Sequence, residues 1–558
     1  MKRKNIKLLC SAATLAAVFA VGIYAKRNDF GLSRNMEITM NMMRELSVGY
    51  VDPIDADKLG EGAAMGMVAN LDPYTELIGE KDMSSFELMT TGKYSGIGAM
   101  IRQKDDYVRI AQPYKNSPAD LAGLQIGDKI LRVAGEDARG MTTEQVSTRL
   151  KGEAGTMVKL EIERLDGSRL KVAIRRDRVM IPGVPYAGML NDTIGFVRHS
   201  DFTEGCYEEM RRAIAQLASE HRLKGLVLDY RSNGGGILQE AVKILSLFVP
   251  KGTEIVSTKG RQAAETYYTK TDPLYGSLPL VVLVNGNTAS SAEIVSGSMQ
   301  DLDRAVLIGQ RTYGKGLVQS TRPMGYNTML KYTTAKYYIP SGRCIQAIDY
   351  SESQKGSIKS VPDSLIHEYH TAAGRKIYDG GGIMPDVPTK PEYFSRFAAT
   401  VYALGFVDDF GDDYTKRHWG EQIDVEHFSI TEQDYKDFVA FMQDKDVPYE
   451  SESRQALKKL KQAAKRDRLP QIEAEIAKIE QALKDDKTTN FETYKEQLIE
   501  SINTNIIQRH GYMEGVIAHS LSSDQDVKRA VELLSNPEEH RRILREQDTL
   551  KKIEQQEE

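Results

Sequence analysis

The 558-residue chain has little cysteine, no excess of basic residues and no clear metal-binding pattern. Three cysteines are too few for a disulfide-stapled scaffold, and Cys206 and Cys344 can form one bond at most. Lys and Arg (74) do not outnumber Asp and Glu (79), and the net charge is −5. No nucleic-acid partner is therefore expected, because binding to phosphates draws on clustered positive charge. HEYH at His367–His370 is one residue short of the zinc pattern H-E-x-x-H, so we expect no metal and no cofactor.

A long hydrophobic run occurs at the N-terminus. The basic segment MKRKNIK precedes apolar residues from Leu8 to Ala25, and two basic residues follow. This order predicts that residues 1–25 are an export signal, cleaved after Ala20 or Ala25, or a retained signal anchor. In either case we expect the remaining chain outside the cytoplasm, in contact with a membrane only through this segment.

The stretch from residue 26 to residue 83 is expected to be helical. Apolar residues recur there at three- and four-residue spacing, and DPY at Asp72–Tyr74 ends the pattern. We interpret the spaced residues as a core or packing face; they are Met36, Met40, Met43 and Leu46.

Short strands and turns fill residues 84–178. SPADLAGLQIGDKILRVAGE (Ser117–Glu136) predicts a capped short helix, a Gly-Asp turn and an alternating strand. This block resembles a PDZ domain in the permuted order of bacterial proteases. The resemblance implies that it takes an extended chain terminus as an added strand and holds the carboxylate on backbone amides. Gly96, Ile97 and Gly98 match the carboxylate-binding loop, with glycines that permit close backbone approach; an ordinary tight turn is the alternative.

Strands and helices alternate from residue 179 to about residue 392. This alternation predicts a largely parallel sheet with helices on its faces. GLVLDYR runs into SNGGG, and LPLVVLVN runs into GNTASS. Both loops follow the carboxyl ends of strands, where ligands bind in such sheets, so we expect them to share one crevice.

Residues 393–558 are polar and are expected to be helical. Two apolar stripes occur at helical spacing, and we interpret them as faces packed on one another or on a partner subunit. They are Ile472, Ile476, Ile479 and Leu483, and then Phe491, Tyr494, Leu498, Ile502 and Ile506.

GQRTYGKGLVQ (Gly309–Gln319) fits the phosphate loop G-x-x-x-x-G-K, but Gly316 stands where that loop has the magnesium-binding Ser or Thr. Pro323 and Gly325 also exclude the long helix that follows a phosphate loop. Lys315 is instead a candidate general base, which requires burial to lower its pKa from about 10.4 towards roughly 7–8.

Two serines are candidates for the nucleophile that such a base would serve. Ser290 and Ser291 follow a buried strand and open a helix, where the helix dipole favours negative charge, although serine is also a common helix cap. His199, at the end of another strand of the sheet, is the alternative base.

Several segments together resemble the C-terminal processing peptidases, also called tail-specific proteases, over about Met36 to Val387. They are LDPYTELI, DYRSNGGG, VNGNTASSAEIVSGSMQDLDRAVLIGQRTYGKGLVQ and GGGIMPDV. The resemblance implies a multidomain α/β protein. A PDZ domain is inserted before a ClpP/crotonase-like α/β protease core, residues 179–392, between helical N- and C-terminal regions. It also implies a Ser–Lys dyad.

The resemblance assigns the catalytic roles residue by residue. The family text S-A-S-A-S-E becomes T-A-S-S-A-E here, and alignment on Glu293 makes Ser290 the nucleophile and Ser291 a replacement for alanine. Lys315 follows 25 residues later as the base. Gln319 matches the family glutamine that orients the lysine.

The resemblance also indicates the oxyanion donors and a supporting pair. The family's R-x-N-P-G-G becomes RSNGGG here, with glycine for proline, which leaves open which glycine amide faces the oxyanion. Gly235 is the first choice and Gly236 the second, with the Ser291 amide as the other donor. Asp301 and Arg304 match a recurring acidic and basic pair, expected to be structural or supporting. A segment of about residues 348–374 is interpreted as a surface insertion.

The expected function is that of an exported endopeptidase, placed in the bacterial periplasm. It would capture unfolded or flexible polypeptide C-termini and cleave through an acyl-enzyme, as a homodimer and with an adaptor as a further partner to consider. A catalytically silent PDZ-bearing scaffold on the same fold is the alternative, and esterase chemistry is a third candidate.

Overall fold

The computed structural model describes residues 30–350, 359–360, 366–391, 393–469, 472–482 and 487–545. The predicted export signal or anchor, residues 1–25, lies outside the described residues. The described chain divides into two compact units. The first contains the described residues up to Met83 together with Gln319–Thr333 and Tyr350, and the second contains the rest.

Two helices open the first unit. Helix α1 spans residues 30–49, and α2 spans Ala56–Val68, where the Asp55 side chain caps the helix by accepting hydrogen bonds from backbone amides. The apolar spacing in α1 is not a core face of the described chain, because Met36 is 60% exposed and Met40 is 70% exposed.

A turn and a strand follow these helices, inside the stretch from residue 26 to residue 83 that was expected to be helical. Asp72 begins a turn in which its carboxylate accepts a hydrogen bond from the Tyr74 amide (3.0 Å). Strand β1, Glu76–Ile78, then pairs antiparallel with Met329–Lys331. The helical prediction was therefore wrong for this last segment, since the Asp-Pro turn redirects the chain.

The PDZ block of the second unit has a sheet in the strand order β3-β4-β5-β7-β8, with β6 beside β5 and β3 at one edge. Ser117 caps the short helix α4 and a strand follows the Gly-Asp turn, as predicted. The elements are α3 (Glu80–Thr91), β2 (Lys93–Gly96), β3 (Ala99–Lys104), β4 (Tyr107–Pro113), α4 (Pro118–Leu121), β5 (Lys129–Val133), β6 (Glu136–Asp137), α5 (Thr143–Leu150), β7 (Met157–Glu163), β8 (Arg169–Arg175) and β9 (Asp177–Met180).

The α/β core is a six-stranded sheet in the order β10-β11-β12-β15-β16-β23, parallel except for β10. Its central strands are apolar throughout because both faces are covered. The elements are β10 (Tyr186–Met189), β11 (Ile194–Arg198), α6 (Cys206–Glu220), β12 (Gly225–Asp229), α7 (Leu238–Leu245), β15 (Leu280–Val284), α8 (Ser291–Asp301), β16 (Val306–Gly309) and β23 (Val387–Pro388).

Alternate residues of these strands serve two cores. Leu226 and Leu228 of β12 pack with α6, α7 and α8, whereas Val227 between them packs with Val527 and Leu533 from the C-terminal helices. The C-terminal region therefore completes the second face of the catalytic sheet.

A second sheet has the order β1-β18-β13-β14, with β17 beside β18. Among the described residues, the other strands form three short ribbons, β2 with β9, β19 with β20 and β21 with β22. The elements are β13 (Glu254–Gly260), β14 (Ala264–Tyr268), β17 (Leu317–Gly325), β18 (Thr328–Tyr338), β19 (Ile348–Asp349), β20 (Lys359–Ser360), β21 (Glu368–His370) and β22 (Lys376–Tyr378).

The C-terminal region is helical, as predicted. Its second apolar stripe is largely buried, since Phe491, Leu498 and Ile502 join one core. In the first stripe Ile476 is buried, Ile479 is 44% exposed, and Leu483 lies outside the described residues. The helices are α9 (Arg396–Ala403), α10 (Phe406–Arg417), α11 (Glu432–Phe441), α12 (Glu452–Arg466), α13 (Glu473–Ala482), α14 (Lys487–Thr493), α15 (Lys495–Leu521), α16 (Gln525–Ser535) and α17 (Pro537–Ile543).

Within the described ranges, no helix has both the length and the apolar character needed to cross a bilayer.

Candidate active site

Ser290 lies in the loop between strand β15 and helix α8, at the carboxyl end of the sheet. Its backbone has φ 56° and ψ −119°, a left-handed φ that is uncommon for residues other than glycine and costs on the order of 1–3 kcal/mol. The Ala289 amide donates to the Asn233 carbonyl oxygen (2.9 Å), and the Thr288 hydroxyl donates to the Tyr230 carbonyl oxygen (3.0 Å). These bonds tie the serine loop to the glycine-rich loop, as the predicted shared crevice required.

The glycine-rich loop approaches Ser290 closely. A Cβ on Gly235 would lie 2.7 Å from the Ser290 Cβ and 2.8 Å from the Ala289 carbonyl oxygen, so only glycine fits there. Its amide donates to Asn233 Oδ1 (2.9 Å). The Ser291 hydroxyl donates to the Gly236 carbonyl oxygen (2.8 Å), which places Ser291 against the same loop with its hydroxyl already engaged.

Glu293 connects the serine to the lysine segment. Its Oε2 accepts hydrogen bonds from the amides of Ser290 and Lys315, both at 2.9 Å. Its Oε1 accepts from the Gly314 amide (2.8 Å) and from the Thr312 hydroxyl (2.6 Å). Burial raises the pKa of Glu293, and these hydrogen bonds oppose that rise. One buried carboxylate thus holds the backbones of both proposed dyad residues.

Tyr337 provides a second link between the same two residues. Its hydroxyl donates to the Lys315 carbonyl oxygen and to the Ser290 carbonyl oxygen, the latter at 3.2 Å. The side chain is only 1% exposed. The linking roles of Glu293 and Tyr337 were not predicted from the sequence. Glu293 at the third position of α8 matches a capping-box pattern, but its contacts to Thr312, Gly314 and Lys315 depend on the tertiary fold.

Lys315 is half-buried and is flanked by glycines that pack against neighbouring backbone. A Cβ on Gly314 would lie 2.5 Å from the Ala347 Cβ, and one on Gly316 would lie 2.9 Å from the Gln346 amide nitrogen. Strand β17 follows the lysine directly. This confirms that the segment lacks the helix of a phosphate loop.

Gln319 belongs to the first compact unit, whereas Ser290 and Lys315 belong to the second. Its side-chain amide donates to the Thr333 hydroxyl (3.2 Å), which donates in turn to Asp72 Oδ1 (3.0 Å). The orienting role of Gln319 stays a prediction.

Asp301 and Arg304 have separate partners. Asp301 pairs with the buried Arg343 (2.7 Å) and accepts a hydrogen bond from the Ser341 amide (3.0 Å). Arg304 donates to three carbonyl oxygens, on Phe248, Tyr275 and Leu278. Both residues therefore hold structure together, but not as the mutual pair that the resemblance suggested.

The described end of the expected surface insertion is partly buried. Thr371 is 5% exposed and Arg375, just beyond the expected boundary, is 2% exposed. Arg375 pairs with Asp303 (2.6 Å) and Asp386 (2.5 Å). The interpretation as a surface insertion was wrong for this part, because these contacts fix the β21–β22 ribbon to the core.

His199 does not serve as the base in this arrangement. Its ring is fully buried, packs on Phe202 with 4.4 Å between ring centroids, and has no hydrogen-bond partner within the described part of the chain. Burial lowers its pKa to about 3. Its carbonyl oxygen instead accepts from the Asn233 side chain (2.8 Å).

Both described cysteines, Cys206 and Cys344, are free.

The predicted carboxylate loop of the PDZ block lies beside an open groove. Gly98 has φ 78°, and a Cβ there would lie 2.3 Å from the Ser117 Cβ, so close approach requires glycine as expected. Gly96 is equally restricted, since a Cβ would lie 2.9 Å from the Tyr94 ring. The groove has a volume of about 190 Å³ and is lined by Leu88, Tyr94, Ile97, Ala99, Ile101, Tyr114, Ser147, Leu150 and Lys151.

The groove runs between the edge strand β3 and helix α5. Ala99 and Ile101 come from the strand, and Ser147, Leu150 and Lys151 come from the helix end. An edge strand presents unpaired backbone groups to which an extended peptide can add as a new strand. The side chains of Ile97 and Leu150 make the floor suitable for an apolar residue.

Family comparisons match three consecutive parts of the chain. Residues 193–352 match the model of peptidase family S41, and residues 109–164 match a PDZ domain. Residues 397–534 match the model described as "Probable PDZ-protease, C-terminal helical domain".

Individual relatives agree with these matches. The chain is 36% identical over 359 residues to the carboxy-terminal-processing protease of Bartonella bacilliformis, covering 62% of this chain and 82% of that protein. It is 33% identical over 350 residues to a probable CtpA-like serine protease of Staphylococcus aureus, covering 61% of this chain and 70% of that protein. Among solved structures, the photosystem II D1 C-terminal processing protease is 26% identical, with a TM-score of 0.35, over 63% of this chain and 86% of that one.

The serine loop, the lysine segment and the PDZ groove thus occur in a sequence whose relatives are named as carboxy-terminal-processing proteases. The chain belongs to the C-terminal processing peptidases of family S41 and is a serine-type peptidase with a PDZ domain.

Proposed function

We propose that the protein is an exported endopeptidase that captures polypeptide C-termini on its PDZ domain and cleaves them with a Ser290–Lys315 dyad. The observation that carries the dyad is the Glu293 carboxylate, which accepts hydrogen bonds from both the Ser290 and the Lys315 amides at 2.9 Å. A nucleophile and its base must keep a fixed mutual geometry, and a shared buried acceptor supplies such a restraint.

The reaction follows from these roles. Neutral Lys315 takes the proton from the Ser290 hydroxyl while Oγ attacks the carbonyl carbon of the scissile peptide bond. The protonated lysine then gives its proton to the departing amine, which leaves an acyl-enzyme on Ser290. Lys315 next takes a proton from water, whose oxygen attacks the acyl carbon and releases the new carboxyl terminus.

The oxyanion of each tetrahedral intermediate needs amide donors beside Ser290. The Gly235 amide already donates to Asn233 Oδ1 (2.9 Å), which favours Gly236, our second choice from the sequence, over Gly235. The Ser291 amide begins helix α8, where the helix dipole favours negative charge. Two such donors contribute several kcal/mol in the transition state.

Substrate capture is assigned to the groove beside β3. We propose that the substrate's last residues add to β3 as an antiparallel strand and that the amides of the Gly96–Gly98 loop hold the terminal carboxylate. Unfolded or flexible tails fit this mode because they can extend along a strand without unfolding a domain.

Export and dimer formation complete the proposal. Export to the periplasm rests on the sequence of residues 1–25. The homodimer is supported by the exposed apolar side chains of helix α1, with Met36 60% and Met40 70% exposed, since exposed apolar patches of this kind mark contact surfaces. An adaptor is a further partner that the same surface or the C-terminal region could accept.

An unfolded reporter with small apolar residues at its end tests the proposal. Its cleavage is measured with a free and with an amidated C-terminus, by the wild type and by the Ser290→Ala, Ser291→Ala and Lys315→Ala variants. We expect cleavage to require the free terminus, Ser290 and Lys315, and to survive Ser291→Ala. Loss of reporter cleavage in Ser291→Ala alone would mean that the nucleophile is Ser291 rather than Ser290. Binding of the reporter without cleavage by the wild type would favour the scaffold or an enzyme that awaits an activator.

A further inference from the structure

Charged side chains connect the PDZ block to the C-terminal helical region. The contact involves strands β3 and β4 on one side and helix α10 on the other, and it is here called the PDZ–helix interface. Its ion pairs join Arg102 to Asp408, Lys104 to Asp409 and Asp412, and Arg109 to Asp412.

Asp412 is the centre of this interface. Its Oδ2 lies 3.0 Å from Lys104 Nζ and 3.5 Å from Arg109 Nη1, and its Oδ1 lies 2.9 Å from Arg509 Nη2 on helix α15. Its side chain is only 6% exposed. Burial by itself would raise the pKa of Asp412, but Arg509 and Lys104 outweigh it and hold that pKa below its usual value. The centre of the network is therefore an ionised, nearly buried carboxylate, whereas the outer pair of Arg102 and Asp408 is 27% and 29% exposed.

Further contacts extend the interface along helix α15. They are Gln112 with Gln508 (2.6 Å), Asp120 with Tyr512 (2.6 Å) and Lys115 with Glu514 (2.5 Å). Asn505 on the same helix donates to Asp408 Oδ1 (2.6 Å) and so orients the carboxylate that pairs with Arg102.

Strand β3 takes part in both the groove and the interface. Ala99 and Ile101 line the groove, while Arg102 and Lys104 hold helix α10. All residues that line the groove lie between Leu88 and Lys151. The groove is therefore open while the helical region is docked.

We propose that the C-terminal helical region is a positioning clamp for the PDZ domain, and that the docked arrangement is the one in which a captured tail is cleaved. The clamp rests on the proposed function, because it acts on the tail that the groove receives. Helix α10 holds β3 and helix α15 contacts Gln112 and Asp120 of the same domain, so together they restrict the direction in which a bound tail leads the rest of the substrate. That restriction raises the effective concentration of the scissile bond at the dyad.

Removal of one ion pair from the PDZ side tests the clamp. Arg102→Ala is compared with Arg139→Ala, a control because Arg139 pairs with Asp106 (3.1 Å) inside the PDZ domain rather than with a C-terminal helix. We expect Arg102→Ala to lower cleavage of the free-tail reporter about tenfold through lost effective concentration. The affinity of the free tail should be unchanged, because the residues that line the groove stay in place. Equal free-tail cleavage by the two variants overturns the clamp.

A covalent lock tests whether docking is the working state. Lys115→Cys and Glu514→Cys are introduced into the full chain, with Cys10 and Cys344 replaced by alanine, and are joined with a cleavable bis-maleimide. Retained free-tail cleavage in the joined protein supports the clamp. Loss of cleavage that returns when the linker is cut overturns it and shows that the helical region must release the PDZ domain.

Failure of the clamp and failure of tail recognition give different results. If wild type cleaves free and amidated reporters equally, C-terminal recognition fails. Hydrogen exchange of residues 99–104 still reports on docking in that case: faster exchange in Arg102→Ala than in Arg139→Ala supports the interface as a restraint on β3. Identical exchange in the two variants overturns it.

Discussion

Two buried carboxylates, Glu293 in the crevice and Asp412 at the PDZ–helix interface, are held in opposite ways. Glu293 accepts hydrogen bonds from three amides and one hydroxyl, and burial raises its pKa. Asp412 faces Arg509, Lys104 and Arg109, and its pKa is lowered. Neutral hydrogen-bond donors of a single domain hold the Glu293 carboxylate in one position. The Asp412 carboxylate is held by cations from two domains, and the strength of such ion pairs depends on salt concentration. The first arrangement suits catalytic geometry and the second suits docking.

The largest expected effect comes from a change at Glu293, the carboxylate in the crevice. Glu293→Gln replaces an acceptor oxygen with an amide donor, which leaves backbone amides of the dyad segments without an acceptor. Small displacements of reacting groups cost about 100-fold, so we expect kcat to fall by about that factor with little change in KM. Glu240→Gln is the matched control, since Glu240 is 4% exposed and binds the Tyr207 amide (2.9 Å). A kcat within a few-fold of wild type in Glu293→Gln would contradict the positioning role.

The next largest effect comes from a change at Asp412, the carboxylate at the PDZ–helix interface. Asp412→Asn removes the charge that Arg509, Lys104 and Arg109 share, and loss of one partner from a buried ion pair costs about 3 kcal/mol. We expect the midpoint of the first thermal transition to fall by about 5 °C. Asp413→Asn on the same helix is the control, because Asp413 is 53% exposed and pairs with Arg417. Equal midpoints in the two variants would show that Asp412 does not stabilise the docked state.

His199 is a third buried ionisable group. Within the described residues its ring has neither the hydrogen-bond donors of Glu293 nor the charged partners of Asp412. Its pKa of about 3 in the folded chain lies below its ordinary value of about 6.5. The unfolded chain therefore binds a proton first as the pH falls, and stability present above pH 6.5 is lost towards pH 3. We expect urea unfolding to show about 2 kcal/mol of loss from His199 between pH 7 and pH 5, at 1.36 kcal/mol per pH unit. His199→Phe should remove that part of the pH dependence, and an unchanged slope would contradict it.

The smallest effect comes from an exposed pair in the same interface as Asp412. Lys115 and Glu514 are 52% and 42% exposed, and such pairs contribute about 0–1 kcal/mol. Lys115→Gln should change the free energy of unfolding by less than about 0.5 kcal/mol, and any change should disappear in 1 M salt, where charges are screened within about 3 Å. A loss as large as that of Asp412→Asn would mean that burial does not distinguish the two pairs.

Local patterns were sufficient to predict much of the fold. The apolar strands around Leu226 and Leu280 and the loops that follow them are properties of short segments, so the parallel sheet and its crevice were predicted correctly. The same holds for the PDZ elements in Ser117–Glu136. The turn at Asp72 lies where the helical pattern was expected to end, but strand β1 after it was missed because its pairing partner, Met329–Lys331, is far away in the sequence.

Contacts between distant residues were not predictable in this way. Asp301 was matched with Arg304, three residues away, but its partner is Arg343 (2.7 Å). Arg375 directly follows the expected surface insertion, yet it is buried between two carboxylates. A charged side chain has many oppositely charged residues in the sequence with which it could pair. Which of them it contacts depends on the packed fold.

The sequence by itself determined the α/β core and predicted the export segment, because these depend on spacing or composition within a few dozen residues. The PDZ block and the choice of Ser290 and Lys315 came from the family resemblance of short segments, and that choice stays a prediction. The tertiary structure alone decided that Glu293 and Tyr337 link the segments of Ser290 and Lys315, that α10 holds strand β3, and that α15 contacts the PDZ domain beside it. Those contacts join residues up to several hundred positions apart, and their existence depends on how whole layers pack rather than on any local pattern.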